Sequence, residues 1–508
     1  MIEGLIQALS PQFMLWLTVG VLAGMIVGAL PGLTATMGVA LLVPFTFDLP
    51  PGAGLAMLGA LYVCAMFSDA VPAVLVNTPG TPAAMATAFD GYPMCLQGRA
   101  QEAIVGSCFS AALGAMFGAA VYLLLAWPLT SIALRFGPPE YFWIGVFALT
   151  IIGSLAGKSM IKGIAGGLIG MLISTIGISH TGAVSRFTFG IPELRGGVSL
   201  VAALIGVFAI PQVLSMVCER RQKEYITDYR PKRGVALKTI LEVIREPVHF
   251  LRSAVIGTFV GILPGAGSPI AALLSYNEAV RWSKDKSRYG KGDLRGVTAS
   301  EIANNACAPA SMIPLVTLGV PGSAPAAVVA GALMLHGLNP GPNLFQEGNG
   351  SLVYAFGWSL MLAGVVTFIL GTLLSPWLAR MVNIPLRLLA PLIMFLSVIG
   401  AYAIRNDMFD VYMMLGLGVF TFLASKLDFH AGPIGLGMIL APIVEPALVQ
   451  SLYLVRATSY QKVFFGSTVD IVLIAFTVLS IVWIAWSHMS TRRQARINKA
   501  AERLSATA

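Results

Sequence analysis

Two Pro-Gly breaks set in apolar sequence, each present twice, constrain this chain more than any other feature. VGALPG (Val27–Gly32) matches VGILPG (Val260–Gly265) at five of six positions, and VNTPGTPAA (Val76–Ala84) parallels LGVPGSAPAA (Leu318–Ala327). Pro264 follows Pro31 by 233 residues and Pro321 follows Pro79 by 242, the longer polar loop after Arg281 absorbing the difference. Two breaks recurring in the same order mark an internal duplication. Proline removes a backbone donor and frees a carbonyl. In a bilayer, backbone broken in that way is tolerated only where it lies buried in protein or lines a cavity. Paired interrupted segments at matching places in two halves therefore point to a transport site.

The stretch Glu301–Gly322 concentrates this tension. It is largely apolar, yet it holds an adjacent amide pair, Asn304 and Asn305, and three prolines, Pro309, Pro314 and Pro321. A kinked helix with the amides bridging its neighbours is the plainer explanation for that stretch taken alone. The second copy at Asn77–Thr81 favours a site.

Composition fixes the environment. Of 508 residues 56% are hydrophobic and 11% charged, with a mean hydropathy of +0.81. A soluble chain carries roughly 25% charged residues, so this is an all-α polytopic membrane protein. The net charge of +9 is not spread evenly: Met1–Cys218 holds only six Lys or Arg, while Glu219–Pro247 holds eight, Arg281–Arg295 six and His488–Ala508 five. Basic loops stay in the cytoplasm, which explains the charge better than a nucleic-acid partner does. The division that follows is a first membrane repeat over 1–218, a basic cytoplasmic loop over 219–249, a second membrane repeat over 250–487 and a basic cytoplasmic tail over 488–508. The five cysteines have no metal or disulfide spacing. The N-terminus has Glu3 and no basic residue ahead of its first apolar run, unlike a signal peptide.

Hydropathy predicts roughly twelve spans, with paired broken helices or re-entrant hairpins. The loop after the first break is the uncharged-to-acidic DLPPG in one half and RWSKDKSRYGKGDLR in the other. Equivalent loops of opposite charge character predict opposite sides of the membrane, hence two inverted repeats, the plan of alternating-access carriers.

Tips of this kind suit an anionic cargo, which needs donors. Helix N-termini after Pro-Gly steps present free N–H groups and a positive dipole end, so Gly80, Thr81, Gly322 and Ser323 are expected at the substrate. Asn77, Thr78, Asn304 and Asn305 add side-chain donors at the substrate, and their carbonyl oxygens could coordinate a cation. Unwound backbone at Pro31, Gly32, Pro264, Gly265 and Gly267 supplies carbonyl oxygens for a coupling cation, Na+ or H+ being the candidates, with no other cofactor or metal. Asp69, an ionisable group in an apolar run, is expected to take part in ion coupling. A channel is the alternative reading. An intramembrane enzyme fits least, since no G-x-S-x-G, H-E-x-x-H or P-loop occurs.

The ordered set VGALPG, NTPGTPAA with FDGYP, FGPPEY, RFTFG, ILPGAGSPIAALLSY, EIANNA, IPLVTLGVPGSAPAA and HGLNPGP resembles the large membrane subunit of the tripartite tricarboxylate transporters, the TctA-type permeases. The likeness runs from the first apolar helix to beyond Pro342. It implies an ion-driven importer of di- or tricarboxylates in the bacterial inner membrane, working with a small membrane subunit and a periplasmic substrate-binding protein. Members commonly show Gly-Gly-Ser where Ser68-Asp69-Ala70 stand here, and Gly-Gly where Pro309-Ala310 stand.

The inverted plan makes a labelling prediction. A membrane-impermeant maleimide applied to intact cells should modify a cysteine placed between Asp48 and Gly52 and spare Ser287→Cys. Labelling of Ser287→Cys from outside would sink the arrangement.

Overall fold

The computed structural model describes residues 1–154, 159–179, 184–218, 229, 231–346 and 348–482. The basic tail over 488–508 and most of the charged part of the 219–249 loop lie outside the described residues.

Among the described residues eight helices are long and apolar enough to cross a membrane: Pro11–Ala29, Pro51–Val76, Ala100–Ala133, Leu200–Cys218, Gly350–Met381, Leu388–Arg405, Met408–Lys426 and Ala431–Ala457. Four apolar helices are shorter: Met160–Ser174, Pro247–Ile262, Ala324–Leu335 and Thr468–Val482. The protein is thus a multi-pass helical membrane protein. Roughly twelve spans are expected from hydropathy; of the shorter apolar helices among the described residues, Pro247–Ile262 and Ala324–Leu335 adjoin Pro-Gly steps and are too short to span alone. A two-residue antiparallel ladder, Gly177–Ile178 with Ser185–Arg186, is the only strand pair among the described residues.

The duplicated motifs adopt the same local structure. Pro11–Ala29 and Pro247–Ile262 both stop just before their Pro-Gly step, and Gly32 and Gly265 take left-handed φ of 82° and 78°. The helix Pro51–Ser68 breaks at Asp69 and continues as Ala70–Val76, ending on left-handed Asn77. Its counterpart Leu294–Ala310 breaks at Ser311 and continues as Met312–Leu318, ending on left-handed Gly319. Asp69 and Ser311 stand 242 residues apart, the offset of the Pro-Gly tips. Pro309 is accommodated inside its helix, and the chain turns two residues later at Ser311.

Glycines set how closely the helices approach. A methyl group on Gly24 or Gly28 would lie 2.6 or 2.5 Å from the carbonyl oxygens of Leu61 and Ala65. In the second half Gly257 and Gly261 meet the carbonyls of Ala303 and Cys307 at 2.3 and 2.6 Å. Those carbonyl pairs are again 242 residues apart.

The two halves exchange their long helices. Ala100–Ala133, from the first half, packs on Leu294–Ala310, with Gly106 at Leu294, Gly114 at Ile302 and Gly118 at Ala306, so the two run parallel. Gly350–Met381, from the second half, packs on Pro51–Ser68, with Gly52 at Leu352, Gly59 at Phe356 and Gly371 at Phe67, again parallel. The two long helices run antiparallel to each other, Gly357 meeting Tyr122 and Gly371 meeting Cys108. Pro51–Ser68 and Leu294–Ala310 consequently point in opposite directions.

One end of the molecule is closed by Asp90, fully buried on the helix Ala84–Leu96. Its Oδ1 accepts the N–H groups of Gly292 and Asp293 at 2.9 Å each, and its Oδ2 accepts the Tyr276 hydroxyl at 2.9 Å. Arg99 and Gln97 add bonds to the Gly292 and Lys291 carbonyls, so the basic 281–295 loop is fastened to the first half.

Side chains larger than hydrogen at the glycine seams must push the helices apart, and overpacking costs about 1–3 kcal/mol. Gly257→Ala and Gly118→Ala should lower thermal stability in detergent by that amount. Gly416→Ala, on the helix Met408–Lys426 with nothing within 4 Å of the added methyl, should be neutral or slightly stabilising.

Candidate functional site

In each half the two Pro-Gly elements touch. A methyl on Gly80 would lie 3.4 Å from both the Leu33 carbonyl oxygen and the Asp69 Cβ, and 3.6 Å from the Gly28 carbonyl oxygen. A methyl on Gly322 would lie 2.5 Å from the Gly261 carbonyl oxygen, the equivalent position. Here the backbone is tied as well: Gly265 N–H donates to Gly322 O, and Gly322 N–H donates to Ser311 O, both at 3.0 Å.

The polar side chains repeat the pattern. Thr81 donates to the Asp69 Oδ2, and its counterpart Ser323 shares a 3.0 Å hydrogen bond with Ser311. Ser323 also accepts the N–H of Ala326 as an N-cap and bonds the Tyr62 hydroxyl at 3.1 Å, a contact that crosses between the halves. In this conformation the Gly322 N–H and the Ser323 hydroxyl are therefore spent within the protein. The helices expected to begin near Gly80 and Gly322 begin at Ala84 and Ala324: Ser323 is the N-cap of its helix and accepts the N–H of Ala326, whereas Thr81 lies in the turn ahead of its helix and accepts the N–H of Ala84.

Asp69 is fully buried, not solvated at an interface. It belongs to a ring of contacts, closed partly through side chains and partly along the backbone, that runs through the break at Asp69, the first tip and the helices Ala84–Leu96 and Leu294–Ala310. Asn304 Nδ2 donates to the Met66 carbonyl, one turn before Asp69, at 2.9 Å. Next to it Asn305 Nδ2 donates to the Glu301 backbone carbonyl at 3.0 Å and to Glu301 Oε2 at 3.3 Å. Glu301 Oε1 accepts the Thr87 hydroxyl at 2.5 Å. Thr87 lies on the helix Ala84–Leu96, whose first N–H Thr81 accepts, and Thr81 closes the ring on Asp69. Glu301, Asn304, Asn305, Thr87 and Asp69 are all completely buried, and Asp69 and Glu301 lie within electrostatic reach of each other.

Four buried oxygens here have no hydrogen-bond partner: Asp69 Oδ1, Thr78 Oγ1, Asn304 Oδ1 and Asn305 Oδ1. Asn77, by contrast, is exposed, its backbone left-handed at φ 51°. Pro31, Gly32, Pro264 and Gly265 form the turns against which the tips pack, and Gly267, with φ 69°, opens the helix Gly267–Trp282. Ser268 on that helix donates to the Asn304 carbonyl at 3.3 Å. A cleft of about 290 Å³, lined by Phe136, Tyr141, Pro340 and Pro342 of the FGPPEY and HGLNPGP motifs, reaches Leu318 beside the second tip.

Sequence reasoning passed over Glu301, Thr87, Tyr62 and Ser311. The rule that marks Asp69, an ionisable residue in an apolar segment, marks Glu301 equally. The 242-residue offset carries Asp69 onto Ser311. Tyr62 and Thr87 had no signal beyond being polar in apolar runs.

Broken helices from two halves closing on a buried ionisable cluster define a membrane transport protein. The chain belongs to the tripartite tricarboxylate transporter TctA family, whose model matches residues 14–436. It is 35% identical over 460 residues to an uncharacterized 52.8 kDa protein in the TAR-I ttuC' 3' region of Agrobacterium vitis, covering 89% of each chain. A second A. vitis protein, from the TAR-II ttuC' 3' region, is 34% identical over 200 residues, 39% of this chain and 82% of that one. No solved structure matches the chain.

Removing the Thr87 hydroxyl leaves Glu301 Oε1 without its donor, a loss of about 1–3 kcal/mol for a buried group. Thr87→Val should lower the unfolding temperature of the purified protein accordingly. An unchanged unfolding temperature would show that this bond does not hold the ring.

Proposed function

We propose that this chain is the large permease subunit of a binding-protein-dependent secondary carrier of the bacterial inner membrane, importing di- or tricarboxylates by ion-coupled alternating access. The observation that carries the reading is the duplicated pair of broken helices, each tip bonded to its own break and the two helices joined through Asn304, in a member of the TctA family. The opposite directions of Pro51–Ser68 and Leu294–Ala310 support inverted repeats. The family name implies further subunits. We assign these to a small membrane subunit and a periplasmic protein that captures the solute and delivers it to this one.

The substrate carboxylate lies at the first tip, Asn77-Thr78-Pro79-Gly80-Thr81. That tip offers the exposed Asn77 amide, the unpartnered Thr78 hydroxyl and the start of the helix Ala84–Leu96. Gly322 and Ser323 take part once their internal bonds exchange in the alternate state. The cleft at Tyr141 and Pro340 is the approach on the delivery side.

Reconstituted uptake of carboxylates bound by the cognate binding protein, with and without an ion gradient, tests this. Uptake should saturate, require the gradient and vanish at micromolar substrate without the binding protein. Asn77→Ala and Thr78→Val should each weaken apparent affinity about 5- to 150-fold, equivalent to about 1–3 kcal/mol. Normal transport by both variants would place the substrate elsewhere.

A further inference from the structure

The ring holds more negative and acceptor character than the hydrogen bonds around it can satisfy. Asp69 and Glu301 are both fully buried, and no ion pair among the described residues involves either one. Their donors, Thr81, Thr87 and Asn305, are all neutral. A buried carboxylate without positive charge nearby is costly in a low dielectric.

Three further acceptors face the same deficit: Asp69 Oδ1, Asn304 Oδ1 and Asn305 Oδ1 have no donor. The amide orientations are fixed by what their nitrogens face. Asn304 Nδ2 meets the Met66 carbonyl, and Asn305 Nδ2 meets two Glu301 oxygens. Turning either amide over would set oxygen against oxygen. A proton on Asp69 satisfies its own oxygen and at most one neighbour, whereas a hard cation draws several oxygens at once. An anionic substrate is repelled here by two carboxylates.

We propose that this ring is a binding site for a dehydrated monovalent cation, Na+ because the all-oxygen set falls short of the roughly six to eight ligands that Ca2+ takes, with Asp69 Oδ1, Asn304 Oδ1, Asn305 Oδ1 and the Glu301 carboxylate as ligands. The assignment rests on the ion-coupled carrier reading and deepens it. It moves the amide pair from the cargo to the coupling ion, and it moves the ion from the Pro-Gly turns to the ring between them. Occupancy would tie Asp69 on the first half to Glu301 on the second, so the halves could rearrange together only when the ion is in place.

The test uses the purified full chain in nanodiscs without any carboxylate, following thermal unfolding against NaCl with choline chloride holding ionic strength constant. Na+ should stabilise saturably, and K+, choline and Ca2+ should not. Asp69→Asn, Glu301→Gln and Asn305→Ala should each raise the half-saturating Na+ concentration by at least about tenfold. Asn305→Ala leaves both carboxylates in place and so reports even where a carboxylate variant is not recovered folded, as judged by size exclusion. Stabilisation by Ca2+ in place of Na+, an Na+ response equal in all variants, or Na+ indifference of the wild type while carboxylate uptake persists would each overturn the cation site. Saturable Na+ binding by a protein that transports no carboxylate would keep the site and overturn the carrier reading.

Discussion

Everything in this fold depends on glycine lying against a carbonyl oxygen. In lipid the hydrophobic effect does not press helices together, so association rests on close packing and on polar contacts. Gly24 and Gly28 in one half, and Gly257 and Gly261 in the other, let the first helix of each repeat sink onto the broken helix beside it. Gly114 and Gly118 do the same across the halves. Around the helices so held, Asn304 reaches the Met66 carbonyl and Thr87 reaches Glu301. A leucine-lined interface would leave the same polar groups facing hydrocarbon, where each unsatisfied group costs several kcal/mol.

The duplication has kept this geometry while dividing the chemistry. Tip and break meet through a hydroxyl in both halves, but Thr81 faces a carboxylate and Ser323 faces another hydroxyl. Tyr62 and Asn304, also equivalent by the 242-residue offset, each reach into the opposite half, one to a side chain and the other to a backbone carbonyl. The first half thus contributes an acid at its break and the second contributes its acid nearly three turns earlier, at Glu301. Two similar scaffolds yield one acidic centre, not two.

The legible part of the fold was the part written in backbone chemistry. The Pro-Gly repeats announced the breaks, and their left-handed glycines sit where the motifs placed them. Apolar length announced the long helices, while Ala84–Leu96 and Ala324–Leu335, at 13 and 12 residues, are too short to register as spans. The exchange of long helices was not legible: Gly114 and Gly118 carry no mark of their partner, since any helix with small residues could dock there. At the site, residue types were read correctly and their roles less so. Asn304 and Asn305 looked like donors to an anion, but only the structure shows both nitrogens engaged and both oxygens bare. Burial decided the case of Asp69, and no sequence signal gives the depth of a residue that follows a serine in an apolar run.

The exchanged long helices bear on how such a chain is made. Ala100–Ala133 leaves the ribosome well before its seat on Leu294–Ala310 exists, and its small-residue face must wait in lipid until nearly 200 residues more have been synthesised. The first half therefore has no finished interior of its own at birth. Its last contacts form only when the second half inserts, and the Asp90 clasp on the 281–295 loop can close only then. For this architecture, assembly of the membrane domain is a late and single event, and a chain that stops between the repeats leaves an open groove for quality-control proteases to find.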